Sequence, residues 1–415
     1  MSKALRILYA AGAGDVIGTY NYWVKGKDDP SQVSMTYSGQ FYELCRTLEA
    51  QAFVISSCKQ RKFLRDGQFT IEHRPIPLSR TSGILYHLGQ LWYGLGLIVS
   101  AVSFKANVVV VVDGTTHWFL LSLLSGLGVQ VVPSLHCVLW RKYIDQRPLE
   151  RLLLRVNRNF FASHCAAILT ASDDISEQVM QITDSQHQPI VNFLPTYRRS
   201  EFAGVGEPDE QRSPFRVLFA GRIEPNKGVF DLLEIAKRFA AEGRHDITFD
   251  LCGNGSASEP LRLAAKQAGV DSSFVCHGHC KKPQMREMFN RAHVAIVPTK
   301  TDFVEGFNQV VAESVLSGRP VITSAVCPAL SYVRDAVVEV PPDDLKAYGD
   351  ALLKLCDERE FYEQKRRGCL GLQEQFYDTS QSWGAKLKSI LVALQEGRKP
   401  EKLLDVKPPF SVLSM

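Results

Sequence analysis

At 415 residues the chain exceeds one ordinary domain and points to two of comparable size. With 45% hydrophobic and 22% charged residues it can fill large cores, which excludes a disordered, fibrous or repeat-array chain. A net charge of +4 and a pI near 8.4 fall short of the basic stripe of a nucleic-acid binder, so no nucleic-acid partner is expected and acidic ligands must be met locally.

Residues 1–8 carry a few positive charges and run straight into an apolar strand without a small-residue cleavage pattern, which argues against a signal peptide and for a cytoplasmic chain. Short β-rich runs then alternate with longer segments of helical period, the signature of parallel sheets with crossover helices in an α/β fold. The first half reads as strand 6–11, helix 39–51, strand 52–56, helix 86–104, strand 107–113, helix 118–127, strand 129–135, helix 149–163 and strand 166–170. The five consecutive valines in 107–113 are expected where both sheet faces are covered. Between 11 and 38 the spacing predicts a long polar loop holding Asp15, Tyr20, Tyr22, Trp23 and Lys25. The apolar stretch 83–104, interrupted by His87, Gln90 and several glycines, reads as a buried or partly surface-lying helix rather than a membrane span.

A polar stretch at 201–213 has the composition of an interdomain linker. Domains are therefore set at 1–205 and 206–375, followed by a C-terminal helix, 376–396, packing back on the first domain, and a tail, 397–415. The second half reads as strand 215–220, a helix on Val229, Leu232, Leu233, Ala236 and Ala240, strand 247–252, helix 259–268, strand 273–276, helix 284–292 and strand 294–298. Helix 308–316 stops at Gly318 before strand 321–323. Residues 348–394 look helical apart from a break near Tyr377, and 399–415 look frayed.

Three strand-to-turn segments carry chemistry. Gly221-Arg222-Ile223-Glu224-Pro225-Asn226-Lys227-Gly228 joins a small-residue turn, two cations and a helix start, which is anion-binding equipment; taken alone it is equally a solvated turn with two surface cations. In Glu305-Gly306-Phe307-Asn308, Glu305 and the next amides can address hydroxyls and a phosphate at a helix start, while Glu313, two turns on, addresses another part of an extended ligand. A capping carboxylate plus a surface glutamate is the plainer alternative. Gly253-Asn254-Gly255 is a third such turn, and all three lie at strand C-terminal ends, where open α/β sheets bind ligands.

Other signals are weaker. Cysteines, ten in all, lie mostly in apolar segments as reduced core thiols do. The run from Cys276 to Cys280 holds four potential zinc ligands, too crowded for the paired spacing of structural zinc, so no metal is expected there. Gly12 to Gly18 approximates a dinucleotide fingerprint, but residues 20–30 show no helical period where a helix should follow, so a nicotinamide enzyme is set aside.

In this order and spacing, the Gly221-Arg222 and Lys227-Gly228 pairs, the Gly253 turn, the run from Val275 through Gly278 to Pro298, the Glu305/Glu313 pair and Gly318-Arg319-Pro320-Val321 are specific. From about residue 215 to 394 the chain resembles the C-terminal domain of glycosyltransferase family 4, the retaining enzymes of GT-B architecture among glycosyl transferases group 1. The resemblance implies two Rossmann-like domains whose parallel sheets face a central cleft. It implies Arg222 and Lys227 as a diphosphate clamp, Glu305 with the Gly306, Phe307 and Asn308 backbone on donor sugar and phosphate, Glu313 on ribose hydroxyls, and the Gly278 loop near the base. The first half resembles the family less: Ser38-Gly39-Gln40 looks like its glycine-containing first loop, Ser134-Leu135-His136 like the place of its active-site histidine, and Gly14 can approach the donor phosphates. The longer 11–38 segment departs from the pattern where the acceptor would bind.

No Asp-x-Asp metal motif occurs in the chain, so a nucleotide diphosphate sugar handled without cofactor or metal is expected, its leaving diphosphate stabilised by protein alone. The acceptor is expected to be a glycan, a lipid-linked intermediate or a small molecule. Arg151, Arg155 and Arg158 recur at helical spacing after Arg141, Lys142 and Arg147, as for peripheral contact with an anionic membrane or a solvated basic face. A GT-B-shaped epimerase or nucleotide-sugar hydrolase is the alternative, distinguished by turnover without acceptor.

Overall fold

The computed structural model describes residues 4–78, 81–112 and 117–400. Asp113, at the end of predicted strand 107–113, the first residues of 1–8 and the expected frayed tail past residue 400 lie outside the described residues.

Eight strands form the first sheet: β1 (Arg6–Ala13), β2 (Gln51–Ser57), β3 (Lys62–Asp66), β4 (Phe69–His73), β5 (Val108–Val112), β6 (Gln130–Leu135), β7 (Ile168–Thr170) and β8 (Ile190–Asn192). Their order is β3-β4-β2-β1-β5-β6-β7-β8. All pairs are parallel except the β3–β4 hairpin at one edge. Its helices are α1 (Val16–Trp23), α2 (Tyr37–Thr47), α3 (Gly83–Phe104), α4 (Ser122–Gly126), α5 (Pro148–Asn159) and α6 (Asp173–Thr183). Right-handed crossovers put α2 on one face of the sheet and α3 to α6 on the other. Buried Val108 to Val111 are covered on both sides.

Two readings are corrected. The segment 11–38 is not one polar loop: Asp15 accepts a hydrogen bond from Gly18 N at 2.8 Å and starts α1. The helix holds because Tyr20 is buried, edge-on to Tyr42 at 5.1 Å, and Trp23 packs on Phe69 at 5.5 Å. Eight residues are too few to display a period, so aromatic packing, not pattern, makes this helix. A helix thus does follow Gly12 to Gly18, although the crossover from β1 to β2 runs through α2. The second correction is the β3–β4 hairpin, which the sequence reading omits; Lys62–Asp66 is an exposed, charged edge strand without apolar alternation.

The second sheet, β11-β10-β9-β12-β13-β14, is wholly parallel. It comprises β9 (Phe215–Ala220), β10 (Ile247–Cys252), β11 (Phe274–Gly278), β12 (Val294–Val297), β13 (Val321–Ser324) and β14 (Val337–Val340). In domain order this is 3-2-1-4-5-6, with the switch point between β9 and β12. Its helices are α7 (Val229–Ala241), α8 (Ser258–Gln267), α9 (Lys282–Arg291), α10 (Gln309–Leu316), α11 (Leu330–Val333), α12 (Leu345–Asp357), α13 (Arg359–Leu372) and α14 (Glu374–Tyr377). After Tyr377 the chain recrosses, and α15 (Trp383–Gln395) buries Trp383, Leu387, Ile390 and Leu391 in the first core beside α2.

The two crossings run together: Leu194 N donates to Gln381 O at 2.9 Å and Tyr197 N to Phe376 O at 3.0 Å. Arg319, 1% exposed, pins the start of the second domain. Its guanidinium donates to Ala292 O at 3.0 Å, Asn290 O at 2.8 Å, Gly206 O at 2.8 Å and Ser317 O.

Candidate active site

The loops after β9, β10 and β11 are held by backbone contact. Gly221 N donates to Cys252 O at 2.9 Å and Gly253 N to Gly278 O at 2.7 Å. A Cβ on Gly253 would lie 1.7 Å from Gly221 O, so only glycine lets these loops touch. Gly253 and Gly278 thus set the shape of the loop layer. Cys276 and His277 are successive residues of β11 and face opposite sides of the sheet; His277 Nε2 meets Asp250 Oδ1 at 2.6 Å.

Arg222 and Lys227 converge on one aromatic ring. Lys227 Nζ sits 3.9 Å and Arg222 Cζ 5.3 Å from the centre of Phe303, within cation–π range. Arg222 is exposed and has no ion pair among the described residues. Lys227 Nζ also donates to Glu305 Oε2 at 2.5 Å. That carboxylate, 6% exposed, accepts from Thr299 Oγ1 at 2.9 Å and Asn308 Nδ2 at 3.2 Å as well. Charge-assisted bonds of this kind are the strong ones, so Glu305 is fixed in place before any ligand arrives.

Asn308, at φ 62°, turns the chain into α10, a conformation that asparagine tolerates. The Phe307 side chain packs away from the turn on Tyr332 and Phe376, leaving only its backbone to the site. One turn into α10, Glu313 is buried and receives no hydrogen bond from the described residues. Burial pushes its carboxyl up to about 8, against a smaller opposing pull from Lys282.

The first domain brings His136 to the same place. Trp383 Nε1 donates to Ser134 Oγ at 2.9 Å, and Ser134 Oγ lies 2.9 Å from His136 Nε2. Indole is donor-only, so Ser134 Oγ accepts from Trp383 and is held in place against the imidazole. Burial pushes this histidine down to about 3, so it is neutral. Tyr37 stands edge-on to it at 4.5 Å. Beyond it, Cys137 bridges Gly306 and Val138 N donates to Glu305 O at 3.1 Å. The Gly306 Cα faces His136 O so closely that a Cβ would lie 2.7 Å away.

Arg222, Lys227, Glu305, Gly306, Asn308 and His136 therefore form one cluster across the interdomain cleft, with Glu313 farther along α10. Gly14 sits at the open end of β1, where its carbonyl accepts from Cys58 Sγ at 3.0 Å. Gly39, in the first turn of α2 two residues after Tyr37, lines a cavity of about 370 Å³ with Trp23, Gln40, Arg198 and Lys388. The sequence reading missed Phe303, Thr299 and Trp383, and named Ser134 only as part of the segment leading to His136. Ser134, two residues before His136 on a strand and so on its face, carried a usable signal; Trp383, from the far end of the chain, carried none.

Residues 206–368 match the family model for glycosyl transferases group 1. The alpha-D-kanosaminyltransferase of Streptomyces kanamyceticus is 22% identical over 272 residues, 61% of this chain and 68% of that protein. The D-inositol 3-phosphate glycosyltransferase of Arthrobacter sp. is 28% identical over 172 residues, 40% of this chain and 39% of that one. The chain thus spans well under half of the latter. Among solved structures, Anabaena HepE in complex with UDP is similar at TM-score 0.63 and 13% identity, covering 95% of this chain and 100% of that one. Escherichia coli trehalose-6-phosphate bound with UDP-2-fluoro glucose is similar at TM-score 0.67 and 10% identity, with coverage of 95% and 100%. The chain has the GT-B fold.

Proposed function

We propose that the chain is a retaining glycosyltransferase of family 4 that moves a sugar from a nucleotide diphosphate sugar to a hydroxyl of a glycan or lipid-linked acceptor, without metal, in the cytoplasm. The observation that carries this reading is the Lys227–Glu305 pair at the switch point of the second sheet, with Arg222 beside it on the same Phe303 ring and His136 across the cleft. The glycosyltransferase class draws support from the match over 206–368 and from the relatives' names. The HepE complex with UDP and the complex with UDP-2-fluoro glucose support a nucleotide-sugar donor.

In this reading Arg222 and Lys227 hold the diphosphate where charge develops as the glycosidic bond breaks, a preorganised electrostatic stabilisation. Glu305, anchored by three side chains, presents its remaining lone pairs to donor-sugar hydroxyls. The unbonded Glu313 takes the ribose hydroxyls that its surroundings leave it free to accept. Neutral His136, held by Ser134 and Trp383, faces the sugar from the first domain. The acceptor proton passes to the departing diphosphate, and the acceptor oxygen bonds to the anomeric carbon on the face that the diphosphate leaves.

The test is a thermal-shift and product screen against UDP-, GDP- and ADP-sugars in EDTA, with Arg222→Ala and Glu305→Ala alongside. Stabilisation by one nucleotide class, with sugar release lost in both variants, is expected. Silence towards every nucleotide sugar, or strict dependence on added metal, would sink the reading. Full turnover without acceptor would move it to the epimerase or hydrolase alternative.

A further inference from the structure

Helix α3 has its apolar residues on the wrong side for a helix of a water-soluble domain. Tyr93, Leu97 and Ala101 face the sheet and are buried. Yet Ile84, Leu85, Leu88, Trp92, Leu95, Val99 and Val102 are exposed, with Ile84 at 78%, Trp92 at 69% and Val99 at 67%. At 100° per residue these seven fall within an arc of about 100°. They form one stripe about 27 Å long, from the 1.5 Å rise per residue. No Asp, Glu, Lys or Arg interrupts Gly83–Phe104. The exposed apolar area is on the order of 700 Å², above the few hundred Å² of the largest patch on a typical monomer.

The stripe does not end at the helix. The turn Trp118–Leu121 contacts both α3 and α5, and α4 next to it exposes Leu123 and Leu127. On α5, Leu149, Leu152 and Val156 are exposed. Arg147, Arg151 and Arg155 lie beside them, exposed and without an ion pair among the described residues. Through Trp118–Leu121 the α3 stripe is joined to the exposed leucines of α4 and α5, beside arginines that have no ion pair among the described residues.

We propose that this face docks on an anionic lipid bilayer, with α3 lying in the plane of the interface rather than across it. By length and composition α3 could cross a membrane. It is, however, the crossover between β4 and β5 of an intact sheet, and spanning would strip Tyr93, Leu97 and Ala101 from their core. An in-plane helix keeps that packing and sinks only the outer stripe, as interfacial amphipathic helices do. Trp92, at the middle of the stripe, suits the headgroup boundary. The arginine edge selects the lipid charge, at about 1 kcal/mol per cation near such a surface. A second copy of this chain is disfavoured as occupant, because it would offer the arginine edge no anionic counterpart, which an anionic lipid surface does.

The proposal does not depend on donor chemistry, and vesicle binding tests it on the full chain. Association with vesicles of phosphatidylcholine and phosphatidylglycerol in equal parts is expected, at least tenfold stronger than with phosphatidylcholine alone and weakened by salt. Trp92→Glu with Val99→Glu should cut it tenfold or more with melting temperature and nucleotide response unchanged, since both side chains point to solvent. Arg151→Glu with Arg155→Glu should abolish the preference for the anionic lipid. Trp92→Phe should still bind but lose the blue shift of tryptophan fluorescence on vesicle addition. Wild type that ignores the mixed vesicles at low salt, or the Trp92→Glu/Val99→Glu variant binding them as well as wild type, would overturn the proposal. So would a dimer in solution that the same variant dissociates while vesicles do not compete with it.

Discussion

Glu313→Gln removes a charge at almost constant volume and isolates the effect of burying that carboxyl. With a folded pKa of about 8 against 4.5, the native state holds one more proton than the unfolded state between those two values. Stability therefore falls as pH rises across that window and is flat above it. The full shift sets an upper bound of roughly 5 kcal/mol; even about 2 kcal/mol of it moves Tm by about 4 to 8 °C in a domain of this size. His136, pushed down to about 3, works oppositely, its stability present above its ordinary 6.5 and lost as pH falls below it. The comparison is thus made at each pH between wild type and Glu313→Gln, where the histidine contribution cancels. Melting curves from pH 4 to 9 without ligand should lie closest at pH 4 and separate by several degrees at pH 8.5, the glutamine variant being the more stable. A nucleotide whose ribose donates to Glu313 favours its ionised form, so binding at pH 7 should release a proton, read by calorimetry in two buffers of different ionisation enthalpy. Melting curves that run parallel at all pH values would refute the assignment of a raised carboxyl pKa here.

Three further outcomes follow from named contacts. Lys227→Met leaves Glu305 buried without its cation, which should cost about 3 to 5 kcal/mol by denaturant unfolding and about 100- to 1,000-fold in transfer rate. Trp383→Phe keeps the ring in the core but releases Ser134 to other geometries; unfolding should show a loss of about 1 kcal/mol, with kcat reduced more than donor KM. Arg319→Ala takes the donor from four carbonyls, those of Ala292 and Ser317 buried, and leaves a large void in place of a 1% exposed side chain; urea unfolding should show a loss of about 3 to 5 kcal/mol with kcat/KM of the folded fraction unchanged.

What the sequence made legible was what local chemistry decides. Strands β9 and β10 fall on the predicted residues because their apolar runs end sharply at Gly221 and Gly253, and the cation and carboxylate loops follow directly from those ends. Helix α1 escaped because its stability comes from Tyr42 and Phe69, residues 20 to 50 positions away that no local pattern reports. Strand β3 escaped because, at the exposed edge of the sheet, neither of its faces carries an apolar pattern; β4, by contrast, alternates Phe69, Ile71 and His73 inward and offered a short signal that went unread. Glycine was ambiguous in the same way: Gly253 looked like a ligand-approach residue, and only the fold shows that a Cβ there would also meet Gly221 O at 1.7 Å. Helix α3 shows the opposite failure, since its apolar stretch reads the same whether it is covered by protein or left bare, and only the fold tells which.

Gly306→Ala separates donor binding from closure of the cleft. Gly306 has no left-handed backbone that only glycine could adopt, so alanine costs nothing within the second domain. The added Cβ would instead press on the first, 2.7 Å from His136 O and 3.5 Å from Cys137 Sγ. Relieving that overlap, of order 1–3 kcal/mol, means parting the Cys137–Gly306 bridge and the Val138 N to Glu305 O bond. Arg222, Lys227 and Glu313 all sit on the second domain and stay where they are. Nucleotide binding should therefore hold within about twofold, a change of under 0.5 kcal/mol, while transfer falls about 10- to 100-fold because His136 stands off from the sugar. Small-angle scattering should register a larger radius of gyration for the variant with bound nucleotide. Transfer at the wild-type rate would mean that the contact between Gly306 and His136 is not the one made during the reaction.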